Sequence, residues 1–237
     1  MRAYADLHLS PPLDDVANAR SMANVLAELQ TRVVGLVLPP QRLTPTPPIV
    51  DAFKSAGIDV AKRLNLKPSS REELLRSLRR FRSKYEIVSV ECSVPSVSRV
   101  AVRDQRVDLV YFPKQQLGSI FRGNLAKSCR AALEFNLSEL TSGPSFEVGL
   151  YRLRREIEVA AEGSKAVIGC TRASSPFQLR SPRDVAAILH LLGLPLSAAV
   201  RAVSDLPIEI VEKNRLRMRE PGLEDGIRVI RRSADDE

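Results

Sequence analysis

Tyr4-Ala5-Asp6-Leu7-His8-Leu9-Ser10-Pro11-Pro12 opens the chain as a short apolar run that stops at a proline pair. A run of this length bounded by turn residues reads as a buried β-strand. No glycine follows it, so the glycine-rich phosphate loop that ends the first strand of a dinucleotide-binding sheet is excluded here. Six further runs are similar: residues 33–38, 58–64, 87–90, 107–112, 131–137 and 166–170, with the first at 3–9. Most are continuous rather than alternating in polarity, as parallel strands covered on both faces should be. Helix-period stretches lie between them. Alternation of this kind gives an α/β chain of βα repeats with right-handed crossovers. Closure is not visible in sequence, and an open doubly wound sheet also fits. The missing glycine loop favours a distorted TIM-barrel-like βα barrel of about seven parallel strands.

The best-marked helix spans residues 70–85, with Leu74, Leu75, Leu78, Phe81 and Tyr85 on one face. Ser69 and Glu72 have capping-box spacing after Pro68. A second helix, 146–162, follows Gly143-Pro144, with Gly163 placed to cap its end. From about residue 181 the pattern is all helical. Ser181 is an N-cap with Pro182 at the first helical position, Gly193 and Pro195 separate this helix from the next, and Asp205-Leu206-Pro207 opens a third ending near Arg219. These helices are expected to close one end of the barrel. Residues 1–219 read as one domain and 220–237 as a flexible polar tail.

The chain has 237 residues, a formal net charge of +8 and 44% hydrophobic residues, enough to form a real core. No run approaches the ~18 apolar residues of a membrane span, and the opening lacks a signal peptide's apolar stretch, so a cytoplasmic protein is expected. Cys92, Cys129 and Cys170 are too few and too scattered for a disulfide framework or a zinc ribbon, and read as buried reduced thiols.

Charge is unevenly placed. Residues 62–130 hold sixteen Lys or Arg against six Asp or Glu, a local +10, which leaves −2 for the rest. Arginine's planar fork suits phosphate, so this belt points to a nucleic-acid backbone. Seven Phe, four Tyr and no Trp offer little for stacking on bases, so shape and backbone are the expected targets.

Two histidines, His8 and His190, cannot assemble an imidazole-rich metal cluster. The opening Tyr4-Ala5-Asp6-Leu7-His8 is similar to that of the polymerase-and-histidinol-phosphatase (PHP) type of metal phosphoesterases, which read Asp-x-His-x-His. Ser10 stands where their second histidine falls. Asp6 and His8 then read as the remnant of a metal site, with His8 a hydrogen-bonding group at the barrel rim. His190, in the apolar helix 185–192, reads as a core residue.

Beyond this opening, the chain resembles the family of protein component 3 of archaeal ribonuclease P, whose eukaryotic counterpart is a thirty-kilodalton subunit. The resemblance covers Tyr4 to about Arg219. It rests on the opening block, on Val107-Asp108-Leu109-Val110-Tyr111-Phe112-Pro113, and on a late block beginning Ala173-Ser174-Ser175. Within the late block, Leu179-Arg180-Ser181-Pro182-Arg183-Asp184-Val185 is the most specific element, followed by Leu192-Gly193-Leu194, Leu206-Pro207 and Asn214-Arg215. Cys170-Thr171-Arg172 departs from the family, where a serine- and glycine-like loop is expected. The resemblance implies a PHP-like barrel with extra C-terminal helices that supports the RNA of a ribonucleoprotein endonuclease. The RNA, with Mg2+, would remove the 5′ leader from precursor tRNA. The protein would bind no cofactor and perform no chemistry. Partners would be the ribonuclease P RNA, precursor tRNA, a small partner subunit and other ribonuclease P proteins.

In a parallel barrel the functional rim lies at the carboxyl ends of the strands. Arg63 and Arg172 fall there beside Asp6 and His8, and Arg180 precedes the Ser181 N-cap, where helix amides attract phosphate. With Arg76, Arg79, Arg80 and Arg82 these are the candidate RNA contacts. Arg99, Arg103, Arg106 and Arg130 rank behind them. A solvated helix face explains the 76–82 arginines equally well, and a structural salt bridge explains Arg180. A free-standing degenerate metal phosphoesterase and a DNA-binding or scaffold protein remain as alternatives.

Overall fold

A computed structural model describes residues 3–40, 47–113, 120–141 and 146–219. The expected tail at 220–237 and the break at Gly143-Pro144 lie outside the described residues. Seven parallel strands form one sheet in sequence order: β1 (Tyr4–Leu9), β2 (Thr31–Val37), β3 (Asp59–Leu66), β4 (Ile87–Glu91), β5 (Leu109–Tyr111), β6 (Ala132–Asn136) and β7 (Val167–Cys170). Between them run α1 (Val16–Glu28), α2 (Pro47–Ser55), α3 (Arg71–Phe81), α4 (Pro95–Ala101), α5 (Gly123–Lys127), α6 (Ser138–Thr141) and α7 (Phe146–Glu162). After β7 come α8 (Pro182–Leu191), α9 (Leu196–Arg201) and α10 (Asp205–Arg219).

The sheet curls into a nearly closed TIM-like barrel. At the mouth, Leu9 bridges Ala173, and the Ser10 amide donates to the Ala173 carbonyl at 2.9 Å. Lower down, residues 202 and 203 fill the gap between β7 and β1, where the described residues place no eighth strand. The Ala5 amide donates to the Val203 carbonyl at 3.0 Å and the Gly169 amide to the Ala202 carbonyl at 2.9 Å. Edge groups that would otherwise invite another strand are thereby satisfied.

Outward strand residues such as Val34, Leu36, Leu64, Val88, Val90, Val110, Leu133 and Phe135 join the helices in the main core. Inward residues form a separate inner cluster of Ala5, Leu7, Ala61, Ile87, Leu109, Ala132, Ile168 and Cys170, against which Val211 of α10 packs. Among the described residues, α10 closes the strands' N-terminal end. There Asn214 Nδ2 donates to the Glu86 carbonyl (2.7 Å) and Asp108 Oδ1 (2.9 Å), and Arg215 grips Asp59 and Glu86. The other two late helices, expected to share that closure, lie on the outer wall. Val185 and Leu189 of α8 approach Gly169 on β7 so closely that a methyl group there would lie 2.8 Å from Val185.

Three local readings shift. The capping box of α3 sits one residue later than Ser69/Glu72. Ser70 Oγ accepts from the Glu73 amide, and Glu73 reaches back to the Ser69 amide at 2.8 Å. At the end of α7 the left-handed turn falls on Ser164 (φ 49°), not Gly163. His190 is exposed rather than in the core, with Nδ1 against the Leu194 carbonyl at 2.9 Å. The three cysteines are free and buried, as expected of reduced thiols.

Candidate functional site

The upper half of the barrel interior is polar. Strand alternation turns Arg63 and Asn65 of β3, Ser89 and Glu91 of β4, Tyr111 of β5, and Glu134 and Asn136 of β6 inward above the apolar inner cluster. A bulge adds His8 to them. Asp6 pairs with Val34 but Leu9 pairs with Leu36, so β1 carries one more residue than β2 between those pairs. The extra residue leaves both Leu7 and His8 facing inward and swings the Leu7 carbonyl into the barrel. Gly35 makes room for it, since a methyl group at Gly35 would sit 2.1 Å from that oxygen.

Arg63 and Glu134 form the centre, both side chains at 0% exposure. Arg63 donates through NH2 to both Glu134 oxygens (2.8 and 2.6 Å), through NH1 to the Leu7 carbonyl (2.9 Å) and through Nε to Asn65 Oδ1 (2.7 Å). Ser89 Oγ adds a donor to Glu134 Oε2 at 2.6 Å. His8 Nδ1 lies 2.6 Å from Glu134 Oε1 and 3.1 Å from Asn136 Oδ1, and its Nε2 lies 3.1 Å from Asn65 Nδ2. A neutral imidazole with its proton on Nδ1 satisfies all three contacts. Burial, then the nearby Arg63 cation, pushes the His8 pKa down to about 4. Burial alone would raise the Glu134 carboxyl, but Arg63 and His8 outweigh it and hold that group well below the usual carboxylate range.

Asp6 is also buried. It accepts from the His8 amide (3.1 Å), the Thr171 amide and the Thr171 hydroxyl. Burial raises its pKa to about 6 despite those donors. At the mouth, Glu91 accepts from the Tyr111 hydroxyl and from Ser93 Oγ (2.6 Å) and pairs with Lys67 at 3.1 Å.

These residues do not fit a metal ion. The inward carboxylate best placed to ligate, Glu134, is held on both oxygens by a guanidinium, which puts a fixed positive charge where a cation would have to sit. Both His8 nitrogens are engaged by side chains, and no group of three or more His, Cys, Asp or Glu among the described residues could hold a metal. The network is a structural plug in the position where a barrel enzyme keeps its site.

The candidate arginines scatter. Arg63, expected at the rim, is locked inside the barrel and out of reach of phosphate. Arg82 likewise turns inward, pairing with Asp108 at 3.2 Å and donating to the Tyr85 carbonyl at 3.0 Å. Its side chain is 12% exposed, so of the 76–82 arginines Arg76, Arg79 and Arg80 remain as exposed cations, the last over the Phe81 ring at 5.1 Å. Arg172 stands at the mouth, pairing with Glu139 at 2.7 Å and lying 5.7 Å over the Tyr111 ring. Its φ of 57° is the left-handed geometry that glycine adopts without cost, which accounts for the glycine-like loop expected there. Arg180 is exposed, and its NH1 donates to the Phe177 (2.8 Å) and Leu179 (2.6 Å) carbonyls rather than to a carboxylate. It lines a shallow crevice with Asp6, Thr171 and Pro182. Ser181 Oγ takes the Asp184 amide at 3.1 Å, as expected of the N-cap, which leaves the α8 terminus fewer free amides for a phosphate.

Glu134, Asn136, Asn65, Glu91 and Tyr111 were not among the sequence candidates. Their signal was a pair of polar residues two apart near a strand's end: Arg63-x-Asn65, Ser89-x-Glu91, Glu134-x-Asn136.

Comparison with known proteins adds a consistent picture. The family model for RNase P subunit p30 matches residues 3–219. The ribonuclease P protein component 3 of Methanosarcina mazei is 26% identical over 207 residues, covering 85% of this chain and 86% of that one. That of Methanococcoides burtonii is 27% identical over 164 residues, covering 67% and 68%. Among solved structures, a chain of an archaeal ribonuclease P with mature tRNA, seen by cryo-electron microscopy, superposes with a TM-score of 0.75. Its identity is 22%, covering 96% of this chain and 98% of that one.

Proposed function

The chain belongs to the RNase P subunit p30 family, and from this we propose that it serves as a protein subunit of ribonuclease P, the ribonucleoprotein that trims precursor tRNA. The match over residues 3–219, which spans every described residue, carries this reading. RNA and tRNA are its partners in that role. The RNA performs the cleavage with Mg2+, and the protein stabilises the folded RNA by neutralising phosphates. The barrel interior supports this division of labour, because Arg63, Glu134 and His8 satisfy one another and none of the three is left poised as an acid, base or nucleophile for substrate.

Binding to a small protein subunit belongs to the same proposal. Leu191 and Leu196 flank the α8–α9 turn at 80% and 58% exposure and supply apolar material away from the basic belt.

Reconstitution tests the reading. Precursor-tRNA cleavage at low Mg2+ should require the ribonuclease P RNA, this protein and the small subunit together, while the protein alone should hydrolyse neither RNA nor phosphate monoesters. Metal-dependent turnover by the pure protein, lost in His8→Ala, would sink it.

A further inference from the structure

One cluster of positive charge lies at the end of the barrel opposite the mouth. The segments that lead into β5, β6 and β7, together with α10, enclose two adjoining depressions that share Arg130. Their cations are Arg103, Lys127, Arg130, Lys165, Lys213 and Arg217, and Asp108 is the acid that lines them. That acid is compensated from within, by Arg82 at 3.2 Å, Asn214 Nδ2 at 2.9 Å and the Val88 amide at 2.8 Å, and from the groove side by Arg217 at 4.0 Å, which leaves the other five cations to set the groove's charge. Lys165 is held in place by donating Nζ to the Lys127 (3.1 Å) and Cys129 (3.2 Å) carbonyls, which fix it without removing its charge. Arg103, Lys127 and Arg130 are exposed and pair with no acid among the described residues.

We propose that this basal groove binds the sugar-phosphate backbone of a double-helical RNA segment. Only the identity of that RNA rests on the reading as a ribonuclease P subunit. Cations of one sign along concave, low-dielectric walls focus their field on a ligand carrying regularly spaced negative charge. None of the exposed large apolar side chains, such as Phe177, Leu191 or Leu196, lines the groove. An acidic protein segment would therefore find charge there but no anchor. Among the described residues no aromatic side chain lines it either, so single-stranded bases have nothing there to stack on. Duplex backbone is the chemistry that remains, and it is read by charge and shape.

The test compares the full chain with an Arg103→Ala/Lys127→Ala/Arg130→Ala variant, and with Arg154→Ala/Arg155→Ala on α7, whose arginines already pair with Glu158. Filter binding to the organism's ribonuclease P RNA and to an unrelated RNA hairpin is measured across a salt series. The groove variant should lower the log–log salt slope by about three and weaken both RNAs ~100-fold near physiological salt, with the α7 variant unchanged. A second measurement uses the wild-type chain alone: bound RNA should protect Lys127 and Lys213 from amine acetylation while leaving the exposed Lys54 of α2 reactive. An unchanged salt slope, or unprotected lysines under saturating RNA, would overturn the groove. So would polyglutamate displacing the hairpin at equal charge concentration. A chain that still copurifies with ribonuclease P RNA after such a result would keep its place as a subunit; a chain whose groove binds the hairpin but that never copurifies would lose it.

Discussion

Replacing Glu134 by Gln removes one charge from a site where no other acid contacts Arg63. The guanidinium at 0% exposure makes four short hydrogen bonds, two of them to Glu134, and water cannot reach it to compensate. Removing one partner of a buried pair costs about 3–5 kcal/mol because the other charge stays buried and uncompensated. For a domain of this size each kcal/mol moves the midpoint by about 2–4 °C, so Glu134→Gln should lower Tm by about 6–20 °C. Arg63→Met should cost less than Glu134→Gln. Glu134 would keep Ser89 and His8, and His8, relieved of the Arg63 cation, would titrate at a higher pH. The double variant should then be more stable than Glu134→Gln alone. Thermal unfolding followed by circular dichroism at neutral pH gives the four stabilities, and NMR titration of His8 gives the proton. A Glu134→Gln protein melting within about 2 °C of wild type would refute the account, because a guanidinium that tolerates losing its carboxylate is not desolvated.

His8 and Asp6 should oppose one another in pH dependence. The folded pKa of His8, about 4, lies below its unfolded value of 6.5, so its contribution is present above pH 6.5 and is lost as pH falls toward 4. The folded pKa of Asp6, about 6, lies above 3.8, so its contribution is present below pH 3.8 and is lost as pH rises through 6. Each slope is worth about 3 kcal/mol, so His8→Asn should unmask a stability that falls between pH 4 and 6, read by urea unfolding; a slope matching wild type would contradict it. Arg180→Ala should weaken unrelated structured RNAs by similar factors and lower the salt slope by about one, and a loss confined to one RNA would count against a phosphate contact. Arg79→Glu/Arg80→Glu should raise the Mg2+ needed for precursor-tRNA cleavage without separating the protein from its small partner in gel filtration. Loss of the partner with RNA affinity kept would reassign that face.

All seven strands, the α7 limits and the Ser181 cap were legible in the sequence because each is a local matter: an apolar run between breakers, a helical period, a hydroxyl three residues before an amide. Composition gave the basic belt, and the Leu179–Val185 element gave the family. The inward polar layer was not legible. Arg63 and Glu134 lie far apart in the chain, and in runs read as buried on both faces the polar pairs two apart mark a shared face without saying that it is the inner one or which strands' pairs meet. That depended on curvature, on the β1 bulge and on Gly35, which together decide whose side chain meets whose. The same holds for charge. Sequence counts cations, but it cannot distinguish Arg82, drawn onto Asp108, from Arg130, left facing water. Chain order determined what the residues are and where each element begins; which of them point at one another, and at solvent, was decided by closing the barrel.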